Sequence, residues 1–169
     1  MALSAQGAPP ALGYRSMRTK RCRTRTRRAE RAAVGSMSMS VRIAEGADVS
    51  PDARVGEGTS IWHLAQVREG ADIGEGCNIG RGVYIGPGVH LGRNCKVQNY
   101  ALVYEPAYLA DGVFIGPAVV LTNDTYPRAV NPDGSLKSAH DWEAVGVTIE
   151  TGAAIGARAV CVAPINIGA

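Results

Sequence analysis

Aromatic residues are scarce in this 169-residue chain, at 5% with a single Phe, and no run approaches the ~20 apolar residues of a membrane span. The first shortage argues against a core of large rings. The second leaves no candidate for a membrane-spanning helix. With glycine abundant at 21 residues, the shortage of aromatics also argues against a helical bundle and for a core of small and aliphatic side chains threaded with turns. The four cysteines, Cys22, Cys77, Cys95 and Cys161, match no metal-ligand or secreted-framework spacing, which predicts a reducing, cytoplasmic setting. Acidic residues are almost missing from the first 36 positions, where nine Lys or Arg stand against Glu30 alone. The remainder holds nine basic and fourteen acidic residues, so the net charge of +3 hides an acidic body. That body gives no reason to expect a nucleic-acid partner. The like-charged segment has no apolar period, and residues 1–40 are expected to be a disordered extension. Met37 and Met39 open directly onto the patterned region, which suggests a working start there.

What the chain has in abundance is glycine, at 21 residues, and a period of six. Every sixth residue from Ile43 to Leu121 is aliphatic: Ile43, Val49, Val55, Ile61, Val67, Ile73, Ile79, Ile85, Leu91, Val97, Val103, Leu109, Ile115 and Leu121. Four residues after each runs a second column of small residues, from Ala47 to Thr125, which includes Cys77 and Cys95 as core packing. Gly follows the aliphatic residue at 56, 74, 80, 86, 92 and 116, where a sharp turn would use its freedom in φ. Six matches neither a helix nor an open sheet. It is the period of a hexapeptide β-helix, an all-β parallel solenoid in which three units make one triangular coil and residues 18 apart stack. One unit cannot bury its aliphatic residue alone, whereas a pile of coils buries the whole column.

The stretch VLTNDTYPRAVNPDGSLKSAHDWEAVG, Val120–Gly146, breaks the period, which returns at Ile149, Ile155, Cys161 and Ile167. The step from Leu121 to Ile149 is 28 residues, not a multiple of six. A loop, 122–148, is therefore inserted into a β-helix domain spanning 41–169. A long loop in so regular a scaffold usually carries function.

The run SIWHLAQV, IGEGCNIG, KVQNYALVYE and TNDTYPRAVNPDGSLKSAHDWE resembles the hexapeptide acyltransferases of left-handed β-helix fold. Within them it is similar to the N-acetyltransferases acting on nucleotide-linked 3-amino sugars, such as UDP-2-acetamido-3-amino-2,3-dideoxy-glucuronate. The resemblance covers about residues 41–169. It implies the left hand of the helix, acetyl-CoA as co-substrate with no metal, and a homotrimer with active sites between neighbouring prisms. It also implies a cytoplasmic role in supplying precursors for surface polysaccharide or a related glycan.

Glu105 and Asn123 lie 18 apart, two residues after Val103 and Leu121, so they should stack beside the root of the loop. With the family's Tyr-Glu and Thr-Asn-Asp elements in agreement, they are the candidate catalytic pair: Glu105 to orient or deprotonate the amine, Asn123 to hold the amine or the acyl group. His63 and Asn99 share another turn position, 36 apart, on a different edge. They are candidate substrate ligands that a neighbouring subunit could bring to Glu105 and Asn123. In the loop, Arg128 suits a sugar carboxylate or diphosphate, and Tyr126 and Trp142 suit stacking on a base or sugar.

Three rivals share the scaffold. A sugar O-acetyltransferase would need a histidine base. A non-catalytic solenoid would need one flat repetitive face, and this exterior is irregular. A gamma-type carbonic anhydrase would need three converging histidines, whereas His63 and His90 fall at different phases and His140 lies in the loop. The chain stops at PINIGA, with Ile167 opening a unit it does not finish. The expectation is a truncated product with a weakened coenzyme groove.

Overall fold

The structure, a computed structural model, describes residues 40–169. The basic segment and Cys22 lie outside the described residues. Three parallel six-stranded sheets wrap one core. The first sheet takes Arg42–Ile43, Ser60–Ile61, Asn78–Ile79, Lys96–Val97, Phe114–Ile115 and Ala154–Ile155. The second takes Asp48–Val49, Gln66–Val67, Tyr84–Ile85, Leu102–Val103, Val120–Leu121 and Val160–Cys161. The third takes Arg54–Val55, Asp72–Ile73, His90–Leu91, Tyr108–Leu109, Val147–Ile149 and Ile165–Ile167. The fold is a left-handed parallel β-helix. Strand partners are 18 residues apart, as in Val67↔Ile85 and Ile79↔Val97. Across the loop the step becomes 40, as in Leu109↔Ile149 and Ile115↔Ile155, with the facing unchanged. The insertion is therefore an excursion that returns in register.

In each two-residue strand from Ser60–Ile61 to Val120–Leu121 the second residue is aliphatic and buried while the first is more exposed, so period-2 alternation and period-6 repetition coincide. Ile79, Ile85, Leu91, Val97, Val103, Leu109, Ile115 and Leu121 are fully buried. At the first coil the expected burial fades. Ile43 is 51% exposed, and Val49 and Val55 are only partly covered, because no described coil lies beneath them.

Two sequence expectations change. Thr125 does not join the small column: it is exposed in the loop, and the fully buried Val147 stands two residues before Ile149 as Ala107 stands two before Leu109. The glycines that follow the aliphatic residues are not there for positive φ. That conformation falls two residues later, as at Gly58, Gly76 and Gly88. At Gly74 the constraint is contact between coils, since a Cβ would come within 2.7 Å of the Gly92 backbone.

Thr59 is the buried polar member of the column among the described residues. Its hydroxyl donates to the Gly74 carbonyl (2.8 Å) and accepts from the Cys77 amide (2.9 Å), so burial leaves it satisfied. Cys77 and Cys95 are free and buried, with their sulfurs 3.1 and 3.2 Å from the carbonyls of Gly92 and Ala110. Contact with the Cys77 sulfur, and then burial, push the Cys95 thiol up, while the same contact holds the Cys77 thiol down at about 7.

Candidate functional site

Two corners of the prism carry the candidate residues. The corner between the second and third sheets is built from short turns, except where residues 122–146 depart after Leu121 and return before Val147. The root of this loop is tied on both sides. The Val145 amide donates to the Asn123 carbonyl (3.0 Å), closing entry against exit. The Thr122 hydroxyl accepts from the Ala163 amide (3.0 Å) and the Thr125 hydroxyl donates to the Ala163 carbonyl (3.2 Å), joining the root to the coil above. Inside the loop, Asn131–Ser135 forms a tight turn between the bridged residues Val130 and Leu136.

Val103 pairs with Leu121, so Glu105 and Asn123 each stand two residues beyond a paired position, Asn123 where the loop leaves the prism. The Glu105 side chain folds over Gly86 in the coil below, where a Cβ would collide with Oε2. Oε2 is buried and has no hydrogen-bond partner. A buried acceptor of this kind costs about 1–3 kcal/mol if left unsatisfied, more when charged. Tyr84 and Tyr104 flank it, their rings 5.1 Å apart and tilted by 48°. Burial first, and then the Glu105 charge, push the Tyr84 phenol up from its ordinary value. Arg68, below, is engaged with Glu69 at 2.8 and 2.9 Å.

The corner between the first and second sheets holds a groove of about 440 Å³ lined by Trp62, His63, Asn78, Arg81, Gln98 and Asn99. It brings His63 and Asn99 together. The Trp62 indole N–H donates to Asn78 Oδ1 (2.9 Å), the Trp62 and His63 ring centroids are 6.5 Å apart, and the Arg42 guanidinium lies 4.5 Å over the Trp62 ring. Within one chain this corner and the Glu105 corner are separated by the second sheet. Sequence reasoning missed Arg81, although it stands 18 after His63 and 18 before Asn99. It also missed Tyr84 and Tyr104, whose 20-residue spacing gives no stacking signal.

The loop residues are placed less tightly. Tyr126 is 76% exposed, with its amide on Asp124 Oδ1 (2.7 Å). The exposed Arg128 donates to the neighbouring Pro127 carbonyl (2.8 Å), and Trp142 is half-buried. None of the three lines the groove or the smaller cavity of about 310 Å³ beside Tyr108 and Thr148. Lys137, 3.8 Å from Asp124, is half-buried, unlike the exposed Tyr126 and Arg128.

The histidines do not converge. His63 is in the groove, His90 stacks on Tyr108 of the third sheet 3.4 Å from Asp72, and His140 is in the loop. Among the described residues no three His, Cys, Asp or Glu side chains are grouped to hold a metal, and no helix is long and apolar enough to cross a membrane.

Residues 52–87 match the family described as bacterial transferase hexapeptide (six repeats). No curated protein sequence matches the chain. Among solved structures it is similar to the acetyltransferase domain of PglB from Neisseria gonorrhoeae, at 19% identity and a TM-score of 0.59, over 79% of this chain and 57% of that one. A mutant of perosamine N-acetyltransferase from Caulobacter crescentus, in complex with CoA and GDP-perosamine, matches at 21% identity and a TM-score of 0.33, over 78% and 51%. WeeI from Acinetobacter baumannii matches at 17% identity and a TM-score of 0.36, over 76% and 51%. The chain thus spans little more than half the length of these proteins. The repeats and the shared architecture together make it a left-handed β-helix of the hexapeptide-repeat type.

Proposed function

We propose that this protein is an acetyl-CoA-dependent N-acetyltransferase acting on the amino group of a nucleotide-linked 3-amino sugar. It would serve precursor synthesis for a surface polysaccharide or related glycan in the cytoplasm. The observation that carries the reading is the half-buried Glu105 side chain, whose Oε2 is itself buried and unpartnered, two residues beyond the Val103–Leu121 pair from which the loop departs. A buried acceptor without a donor suits a ligand that brings one, and a sugar amine does. The hexapeptide repeats and the similarity to an acetyltransferase domain support acyl transfer as the reaction.

In that reaction the amine nitrogen attacks the thioester carbonyl, the C–S bond breaks, and the amine proton leaves as the thiolate departs. Glu105 accepts a hydrogen bond from the amine and turns its lone pair toward the carbonyl, supplying orientation and a proton acceptor. Asn123 holds the amine or the acyl oxygen. His63 and Asn99, on the other corner, bind the substrate when a second copy in a homotrimer sets its groove against the Glu105 corner. The loop, through Tyr126, Arg128 and Trp142, selects the sugar and nucleotide.

The test is release of CoA thiol with a panel of nucleotide-linked 3-amino sugars, comparing wild type with Glu105→Ala and Asn123→Ala. Loss of turnover in both variants, with assembly unchanged, supports the pair. Equal rates remove it, and acetylation of sugar hydroxyls in preference to amines would replace the reading with O-acetyl transfer.

A further inference from the structure

We infer that the groove between the first and second sheets is an oxyanion site, in which Arg81 binds a phosphate or carboxylate group and Tyr100 positions Arg81. The inference deepens the proposed function and rests on it only for naming the ligand a nucleotide-linked sugar.

The lining is one-sided in its chemistry. None of the six residues is acidic. Asn78 has its Oδ1 committed to the Trp62 indole, and Asn99 has its Oδ1 committed to the Arg81 amide (2.9 Å). Each therefore has its acceptor occupied and its amide N–H₂ left over as a donor. Arg42, stacked on Trp62, adds positive charge at the rim. A groove of donors and cations without a carboxylate selects an anion.

Arg54, Arg68 and Arg93 each pair with a carboxylate, whereas Arg81, like Arg42 and Arg158, makes no ion pair among the described residues, and of these three it is Arg81 that lines the groove. Its Nε donates to the Tyr100 hydroxyl (3.1 Å), which fixes the guanidinium plane and leaves both terminal nitrogens for bidentate contact. Tyr100 occupies the positive-φ position of its turn (φ 60), as Leu64 and Arg158 do in theirs, with its ring across Gly82. A Cβ at Gly82 would lie 2.6 Å from that ring.

The test is calorimetric titration of the full chain with inorganic diphosphate, UDP, UDP-glucuronate and free glucuronate, with uridine as the uncharged control. Wild type, Arg81→Gln, Arg81→Lys, Tyr100→Phe and the Tyr100→Phe/Arg81→Gln double variant are compared, each checked for an unchanged unfolding midpoint. Arg81→Gln is expected to weaken at least one anionic probe tenfold or more, with Arg81→Lys recovering part of the loss and uridine unaffected. Loss for diphosphate, UDP and UDP-glucuronate with free glucuronate unaffected assigns the site to phosphate; loss for UDP-glucuronate and free glucuronate with diphosphate and UDP unaffected assigns it to the sugar carboxylate. Tyr100→Phe is expected to weaken binding severalfold in the wild-type background and not at all with Arg81→Gln, as a residue acting through Arg81 requires. Equal affinity of wild type and Arg81→Gln for every probe, or no binding of any anionic probe to wild type, overturns the inference. Since binding is read without turnover, Arg81-dependent binding with no acetyl transfer would remove the proposed function alone. Glu105-dependent transfer with Arg81-independent binding would remove this inference alone.

Discussion

Glu105 lies over Gly86, the carboxylate of one coil occupying the place where the coil below lacks a side chain. Gly86 is thus a requirement of the candidate site as well as of the stacking. Gly86→Ala should drive Glu105 outward and also press on the Glu105 amide, 2.9 Å from the new Cβ. The expected cost is about 1–3 kcal/mol of stability from overpacking, with acetyl transfer falling as far as in Glu105→Ala. Denaturant unfolding and CoA-release rates on the same preparation check both; full activity would detach Glu105 from the reaction.

The core should respond by position along the prism. Leu91→Ala, at a fully buried site with coils above and below, is expected to cost about 2–5 kcal/mol. Ile43→Ala, half exposed in the first coil, should cost well under half as much. Chemical denaturation of the two variants gives the comparison, and equal losses would contradict the burial gradient.

Anchoring of the loop root rests on the Ala163 amide, which donates to the Thr122 hydroxyl. Thr122→Val keeps the shape and removes the acceptor, leaving the donor of a buried residue unsatisfied at about 1–3 kcal/mol. Hydrogen exchange at Ala163 should accelerate markedly while that at Leu91 stays slow. Unchanged protection at Ala163 would mean that the root is held otherwise.

Asp111 supplies a pH dependence. The Arg93 amide (2.7 Å), and then its guanidinium (3.0 Å), hold the Asp111 carboxyl below the usual range. A depressed folded-state pKa contributes stability above the unfolded value of about 3.9, and that contribution is lost as pH falls through the lower folded value. Asp111→Asn should therefore unfold earlier than wild type at pH 7, with the gap closing on acidification below about pH 4. A gap constant from pH 7 to pH 2 would show that the carboxylate charge is not its source.

Much of the fold was legible because the repeat makes local and global patterns the same statement. From Ile61 to Leu121 each sixth residue that reads as aliphatic is buried, and each 18-residue step is a strand pair. The same counting paired Val103 with Leu121, two residues before Glu105 and Asn123. It passed over Arg81 by stepping 36 from His63 to Asn99, although the intermediate coil carries the cation. Thr125 was misplaced because a period continued on paper says nothing of where the chain leaves the prism.

By itself the sequence determined the coils, the facing of each residue and the site of the insertion, since a period of six and a step of eighteen follow from which side chains must escape water. Only the tertiary structure decided which atoms meet between coils. The unpartnered Glu105 oxygen over Gly86, the Tyr100 ring across Gly82 and the free face of Arg81 depend on backbone spacing of a few ångströms and on side-chain direction. A residue pattern carries neither, because the same six letters stack with or without a gap for the side chain above.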